Sequence, residues 1–258
     1  MKVNEIEMID SHVHVGKGIL KNPLQSGVDA ESLLKVMNES SIEKSVVFAH
    51  WHNGYRNANE EVYSDFVQKY PDKFVMYIRF RPVPKGKRRF LKKEKSDSED
   101  DLGAYLERYK PKGFKIHLTM DGMPTNEMFR VIEDSGLPLL VHGGTSAPTS
   151  MIEKKIITRY NIPVIIAHCG GFPLDINLYT QTIELVKKYP NVYADTAFVH
   201  IRYILRDLIT DCPDKVFFGS DFPAQHPMAG IMNIKTLDIP EDVKTKVLGK
   251  NISELLKL

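Results

Sequence analysis

The segments "LPLLVHGG" (137–144) and "IPVIIAHCGG" (162–171) share one plan: a short apolar run, then a histidine, then glycine. Apolar runs of this length, bounded by turn residues, read as strands buried on both faces, as in a parallel sheet. Working outward, the same signal recurs near 6–13 and in "KSVVFAH" (44–50), "KFVMYIRF" (73–80), "KGFKIHL" (112–118), "NVYADTA" (191–197) and "KVFFGSDFP" (215–223). Amphipathic stretches separate these runs. "DAESLLKVMNES" (29–40) reads as a helix with Asp29 as its N-cap, and "NEEVYSDFVQKY" (59–70) as another. Eight strands alternating with helices predict an α/β fold, a (β/α)8 TIM barrel forming a single domain over 1–258. A doubly wound open sheet is the runner-up, but no glycine-rich phosphate fingerprint follows the first strand.

Composition agrees with one ordinary globular domain. The 258 residues suit a single barrel, and 42% hydrophobic with 26% charged residues supply a normal core and surface. A formal charge of +2 without basic and aromatic clustering argues against a nucleic-acid partner. Two cysteines, Cys169 and Cys212, are too few for a disulfide framework and fit a reducing cytoplasm. No apolar run reaches bilayer length, and "MKVNEIEMIDSH" lacks the centre of a signal peptide, so a cytoplasmic protein without a membrane partner is expected. Self-association into a homo-oligomer stays open. One segment breaks the rhythm: "KGKRRFLKKEKSDSEDD" (85–101) joins the third strand to its helix and reads either as a mobile lid or as a solvated loop.

Polar residues gather where the strands end. "EMIDSHVHVGKG" (7–18) places Asp10, His12 and His14 on alternate positions, so both imidazoles face one way. Alone, the pair also fits an ordinary polar strand end. Lys115 and His117 end the fourth strand, His142 the fifth, His168 the sixth and Asp221 the eighth. Barrel active sites are built on that rim, and core packing would favour apolar residues there. His12 and His14 therefore read as two corners of a metal site completed from far along the chain. Arg79 and Arg81 in "IRFRP" are candidates to pair with a substrate carboxylate, and Trp51 in "HWHNG" to cover a planar substrate. His50 and His52 read as surface loop residues. Asp10 reads as a supporting hydrogen-bond acceptor rather than a ligand.

The motifs "DSHVH", "KGFKIH", "LLVHGG", "IIAHCGG" and "FFGSDFP", in this order, resemble those of the amidohydrolase superfamily. The closer resemblance is to its amidohydrolase-2 branch, which includes aminocarboxymuconate semialdehyde decarboxylase and related decarboxylases and hydrolases. The resemblance implies one divalent metal, zinc foremost with manganese, iron or cobalt as alternatives, held by His12, His14, His142 and Asp221. It also implies His168 beside the activated water. Neutral imidazoles with a carboxylate suit such an ion chemically. His168 and Asp221 are then the catalytic pair, and Lys115, His117, Arg79, Arg81 and Trp51 the substrate-binding set. Lys115 either pairs with a substrate carboxylate or, carboxylated as in binuclear relatives, bridges a second metal.

The expected activity is hydrolysis of a small carboxylate-bearing amide, ester or lactone, with nonoxidative decarboxylation as the alternative. A TatD-like nuclease fits less well, since Lys115-Ile116-His117 stands where that group carries a glutamate and "SDFP" where it carries "TDxP". A barrel that binds metal without catalysis is the nonenzymatic alternative.

Overall fold

A computed structural model describes residues 7–17, 27–52, 54–82 and 101–258. Eight parallel strands follow one another around a sheet in chain order: β1 (Met8–Val15), β2 (Ile42–Ala49), β3 (Phe74–Arg79), β4 (Gly113–Ile116), β5 (Leu139–Val141), β6 (Val164–Ile166), β7 (Val192–Asp195) and β8 (Val216–Phe217). The ends of this sheet meet. Ser11 N donates to Phe218 O and His14 N to Phe222 O, both at 2.9 Å, so β1 bonds to the chain leaving β8 and nearly closes the barrel.

Helices fill the connections: α1 (Ala30–Glu39), α2 (Arg56–Val62), α3 (Leu102–Tyr109), α4 (Asn126–Ser135), α5 (Thr149–Ile152), α6 (Ile176–Lys188), α7 (Arg202–Asp211) and α8 (Pro227–Lys235). Two more, α9 (Glu241–Thr245) and α10 (Asn251–Leu256), follow. Asp29 caps α1 as its sequence predicts, accepting from Ser32 N at 2.8 Å. The expected strands all form, but several are shorter than their apolar runs. The run expected as a strand over 162–171 keeps strand geometry only over Val164–Ile166, because His168 and Cys169 turn to φ 59° and 44°. β1 starts later and ends later than expected, which puts His12 and His14 inside the strand. The 85–101 segment lies outside the described residues except for Asp101, which caps α3.

Alternation along each strand explains the layering. Outward residues such as Val47, Ile78, Phe114, Val141 and Ile166 pack with helix residues such as Leu33, Ile132, Tyr179 and Leu208 in the larger core. Inward residues Ile9, Val46, Val75, Tyr77, Leu140, Ile165 and Phe217 form a second core, sealed from below by Ile252 and Leu256 of α10. Toward the C-terminal ends stand His12, beyond a register irregularity in β1, and His50, Arg79, Lys115, His142 and Asp195. Apolar residues thus fill the lower interior while ionisable ones crown it, the barrel arrangement that sets a site on a packed floor.

The floor depends on close approach of the helical turn before α10 (Lys246–Lys250) to the residue that precedes β1. A Cβ on Gly249 would stand 1.9 Å from the Glu7 carbonyl oxygen, a backbone atom that cannot swing aside. Gly249→Ala is expected to lower Tm by roughly 5 °C, the scale of overpacking in a chain this long. An unchanged melting curve would contradict that packing.

Candidate active site

The ionisable crown surrounds a cavity of about 340 Å³ at the C-terminal mouth of the barrel. Its wall includes His14, His50, Trp51, Arg79, Lys115 and His117 on one arc, and His142, His168, Phe172 and Asp221 on the other. That volume suits a small organic molecule.

The tightest cluster joins the first and last strands. His12 Nε2 and His14 Nε2 each lie 3.2 Å from Asp221 Oδ1, and all three residues offer ligand atoms within 4.8 Å of one another. Strand alternation aims both imidazoles inward from β1. Asp221 reaches them from the loop after β8, where its backbone takes φ 63° and its N–H donates to His12 O at 2.9 Å. A non-glycine residue in that region is strained, and aspartate tolerates it better than most. Burial alone would raise the Asp221 carboxyl, but hydrogen bonds from His12 and His14 hold it well below its usual range. Burial pushes the His14 imidazole well down, toward the neutral form that can ligate.

Behind this cluster stands Asp195 at the end of β7, a residue the sequence reading passed over. Its Oδ2 accepts from His12 Nδ1 at 2.7 Å, and its Oδ1 accepts from the backbone N–H of His168 (2.7 Å) and of Ala197 (3.1 Å). His12 therefore carries a proton at Nδ1, and its Nε2 faces Asp221. Burial opposes the Asp195 charge, yet His12 keeps the carboxyl below its usual value. Two imidazole Nε2 atoms converging on a buried carboxylate, with a second carboxylate behind the His12 ring, form a donor set that fits a divalent cation once a metal replaces their protons.

His142 stands apart from that cluster and beside His168. His142 Nδ1 and His168 Nε2 are 3.2 Å apart, and His142 stacks on His117 with ring centroids 3.9 Å apart. His168 Nδ1 lies 3.1 Å from Ala197 O, which fixes its proton there and turns a lone pair toward the cavity. Burial lowers His168 to about 4, and the same cause pushes His142 well down. Of the expected ligands, three therefore meet directly, and His142 approaches through His168.

The remaining candidates divide. Lys115 is buried with Nζ 3.3 Å from His12 Nε2 and 5.1 Å from the Phe48 ring centre, and burial followed by the Arg79 charge brings it down to about 8. His117 lines the wall and is lowered by burial to about 4. Arg79 is engaged: Nε and Nη2 donate to Asp121 at 3.2 and 3.4 Å, and Nη1 donates to Ala49 O at 3.2 Å. Asp121 also accepts from Tyr55 Oη at 2.6 Å and from His117 N at 2.8 Å. No motif marks Asp121 or Tyr55 in the sequence. Arg81 is half-buried and outside the cavity lining. Asp10 accepts from the backbone N–H of His12 and Ser220, pinning β1 to the loop after β8. His50, read from sequence as a loop residue, is buried in the cavity wall.

Comparison with known proteins places this site in context. The amidohydrolase family (Amidohydro_2) matches residues 9–258. Among solved structures, 5-carboxyvanillate decarboxylase from Sphingomonas paucimobilis superposes with a TM-score of 0.68 at 17% identity, covering 98% of this chain and 99% of its own. A probable 2-pyrone-4,6-dicarboxylic acid hydrolase from Acinetobacter baumannii, with citric acid bound, gives 0.69 at 16%, covering 98% and 100%. A dihydroxybenzoic acid decarboxylase from Polaromonas sp. JS666, with bound manganese and the inhibitor 2-nitroresorcinol, gives 0.70 at 12%, covering 97% of each chain. No curated protein matches the chain in sequence. Among the described residues no helix is long and apolar enough to cross a membrane.

Two outcomes follow from the site's electrostatics. Asp195→Asn is expected to weaken zinc binding 10- to 100-fold in a chelator competition, because the His12 ring loses its charged partner; unchanged affinity would remove Asp195 from that role. His50, His117 and His168 sit near 4 in the fold against 6.5 in an open chain. Between those values the unfolded chain binds more protons at these three residues, so their contribution to stability is full above pH 6.5 and declines as pH falls toward 4, opposed in part by Asp10, which burial raises to about 6. Thermal melts of chelator-treated protein at stepped pH should show that slope.

Proposed function

This chain is a member of the amidohydrolase family, and on that premise we infer that it is a metal-dependent hydrolase of a small carboxylate-bearing amide, ester or lactone. One observation carries the reading: the Asp221 carboxylate sits between two inward-facing imidazoles at the mouth of a small cavity. His12, His14 and Asp221 would hold the ion, with His142 as the fourth ligand. A divalent metal there, zinc foremost, supplies Lewis acidity, lowering the pKa of water and drawing charge onto a substrate oxygen.

The chain's own residues do the rest. Asp221, kept anionic, takes a proton from the attacking water and returns it to the leaving nitrogen or oxygen. His168, its Nδ1 tied to Ala197 O, presents Nε2 to the cavity beside His142 Nδ1 and would orient the water from there. Lys115, buried in the wall, holds positive charge beside the reacting oxygen. A second reading, nonoxidative decarboxylation, is favoured by the rings of Trp51 and Phe172 in the lining, which suit a planar unsaturated acid.

Screening small carboxylated lactones, amides, esters and unsaturated acids with added zinc or manganese separates the two, since only the second releases carbon dioxide. With a substrate found, His168→Asn is expected to keep its metal and lose turnover by roughly two to four orders of magnitude. Asp221→Asn should lose metal and rate together. Full activity in His168→Asn would overturn its assignment, and metal without turnover across the panel would overturn the hydrolase reading. Elemental analysis should give about one metal per chain; two, with Lys115 carboxylated, would replace the single-metal site with a bridged pair.

A further inference from the structure

The cavity wall holds two buried nitrogens that bond to nothing in the protein. His50 follows β2, is 3% exposed, and lies 5.4 Å from His14 with the two rings nearly parallel at 20°. Its Nε2 has no hydrogen-bond partner, and neither does the buried Nε1 of the adjoining Trp51. Both side chains line the cavity, whereas the other unpartnered buried groups among the described residues, on Ser40, Ser45, Tyr77 and Tyr179, belong to residues outside its lining. A buried N–H without an acceptor has given up water and gained nothing in return. The Trp51 indole N–H calls for an acceptor that arrives with the ligand, and His50 Nε2 beside it meets the same acceptor when it carries the ring proton.

A third source of donors lies next to them. Arg79 lines the same cavity, and of its five guanidinium N–H groups three go to Asp121 and Ala49 O, leaving two unspent. Trp51 Nε1 can only donate, and so can Arg79. The group that satisfies this arc must therefore accept throughout, which suits a carboxylate and excludes an ammonium or the NH2 end of an amide.

The geometry points to a carboxylate-binding subsite at the ends of β2 and β3, where Trp51 Nε1, His50 and the unspent N–H groups of Arg79 receive a carboxylate of a small planar substrate. The subsite deepens the hydrolase reading, on which the choice of substrate size rests, but does not depend on which bond breaks. It assigns the recognised carboxylate to Arg79, Trp51 and His50 rather than to Lys115 and makes His50 a specificity-determining residue. The Asp121 carboxylate holds the Arg79 fork in place from behind.

Trp51 is the single tryptophan of the chain, so its fluorescence reports on the subsite directly. Titration of the zinc-loaded protein with benzoate should give a saturable change, and benzamide, of nearly the same shape without the charge, should bind at least tenfold more weakly. His50→Phe keeps a ring against His14 and removes both nitrogens. It should weaken benzoate at least tenfold at unchanged metal content, and His50→Gln should recover most of that loss. Equal binding of benzoate and benzamide, or wild-type affinity in His50→Phe, overturns the subsite. So does a loss of binding in Lys115→Met that His50→Phe does not share. Should His50→Phe fail to fold, Trp51→Phe read by calorimetry decides on the same tenfold criterion. Carboxylate selectivity without turnover would keep the subsite and sink the hydrolase reading; turnover without that selectivity would do the reverse.

Discussion

A single hydrogen bond, from His12 Nδ1 to Asp195 across the top of the barrel, sets the chemistry of everything above it. It spans β1 and β7, so the imidazole is gripped by a strand that contributes no group of its own to the cavity wall. Because the proton is committed to that bond, the opposite nitrogen faces the Asp221 carboxylate. The same Asp195 takes the backbone N–H of His168 as the chain leaves β6, which stabilises the turn at φ 59°. One buried carboxylate thus orients a ligand candidate on one side and the backbone of a catalytic candidate on the other. Its own charge survives burial because every neighbour it touches donates to it.

The cavity is positive in fewer places than its composition suggests. Arg79 and Asp121 neutralise each other in a buried pair, and Tyr55 and the His117 backbone complete the Asp121 shell. Such a pair is costly to bury and contributes little net stability, but it holds a guanidinium rigidly at the wall. Lys115 keeps its charge nearer the metal-type cluster, with an imidazole nitrogen and an aromatic face as neighbours. Charge is therefore divided between a fixed fork on β3 and a lysine on β4.

Much of this was legible in the sequence, and the reason is physical. Parallel strands buried on both faces must be apolar until they emerge at the rim, so the polar residue ending each run announces the site: His12, His14, Lys115, His142 and Asp221 all read in this way. Asp195 ends a run too, in "NVYADTA", and its alternation with Tyr193 was the available signal. Arg79 was visible, but its partner Asp121 lies in a loop where no periodicity operates, so the ion pair was not. His50 looked like loop because the strand signal stops at its own position. Burial of a strand-end residue depends on what the next connection folds over it, and local sequence does not encode that.

The cluster of His12, His14 and Asp221 draws its members from the first strand and from just beyond the last, and Asp221 N–H bonds to His12 O where the two meet. During synthesis the two histidines therefore emerge from the ribosome long before the aspartate. A nascent chain holds only a loose imidazole pair, which competes poorly for scarce transition metals. The full set of donors exists only when the barrel has closed, so the act that completes the fold is also the one that assembles a group able to hold a metal ion.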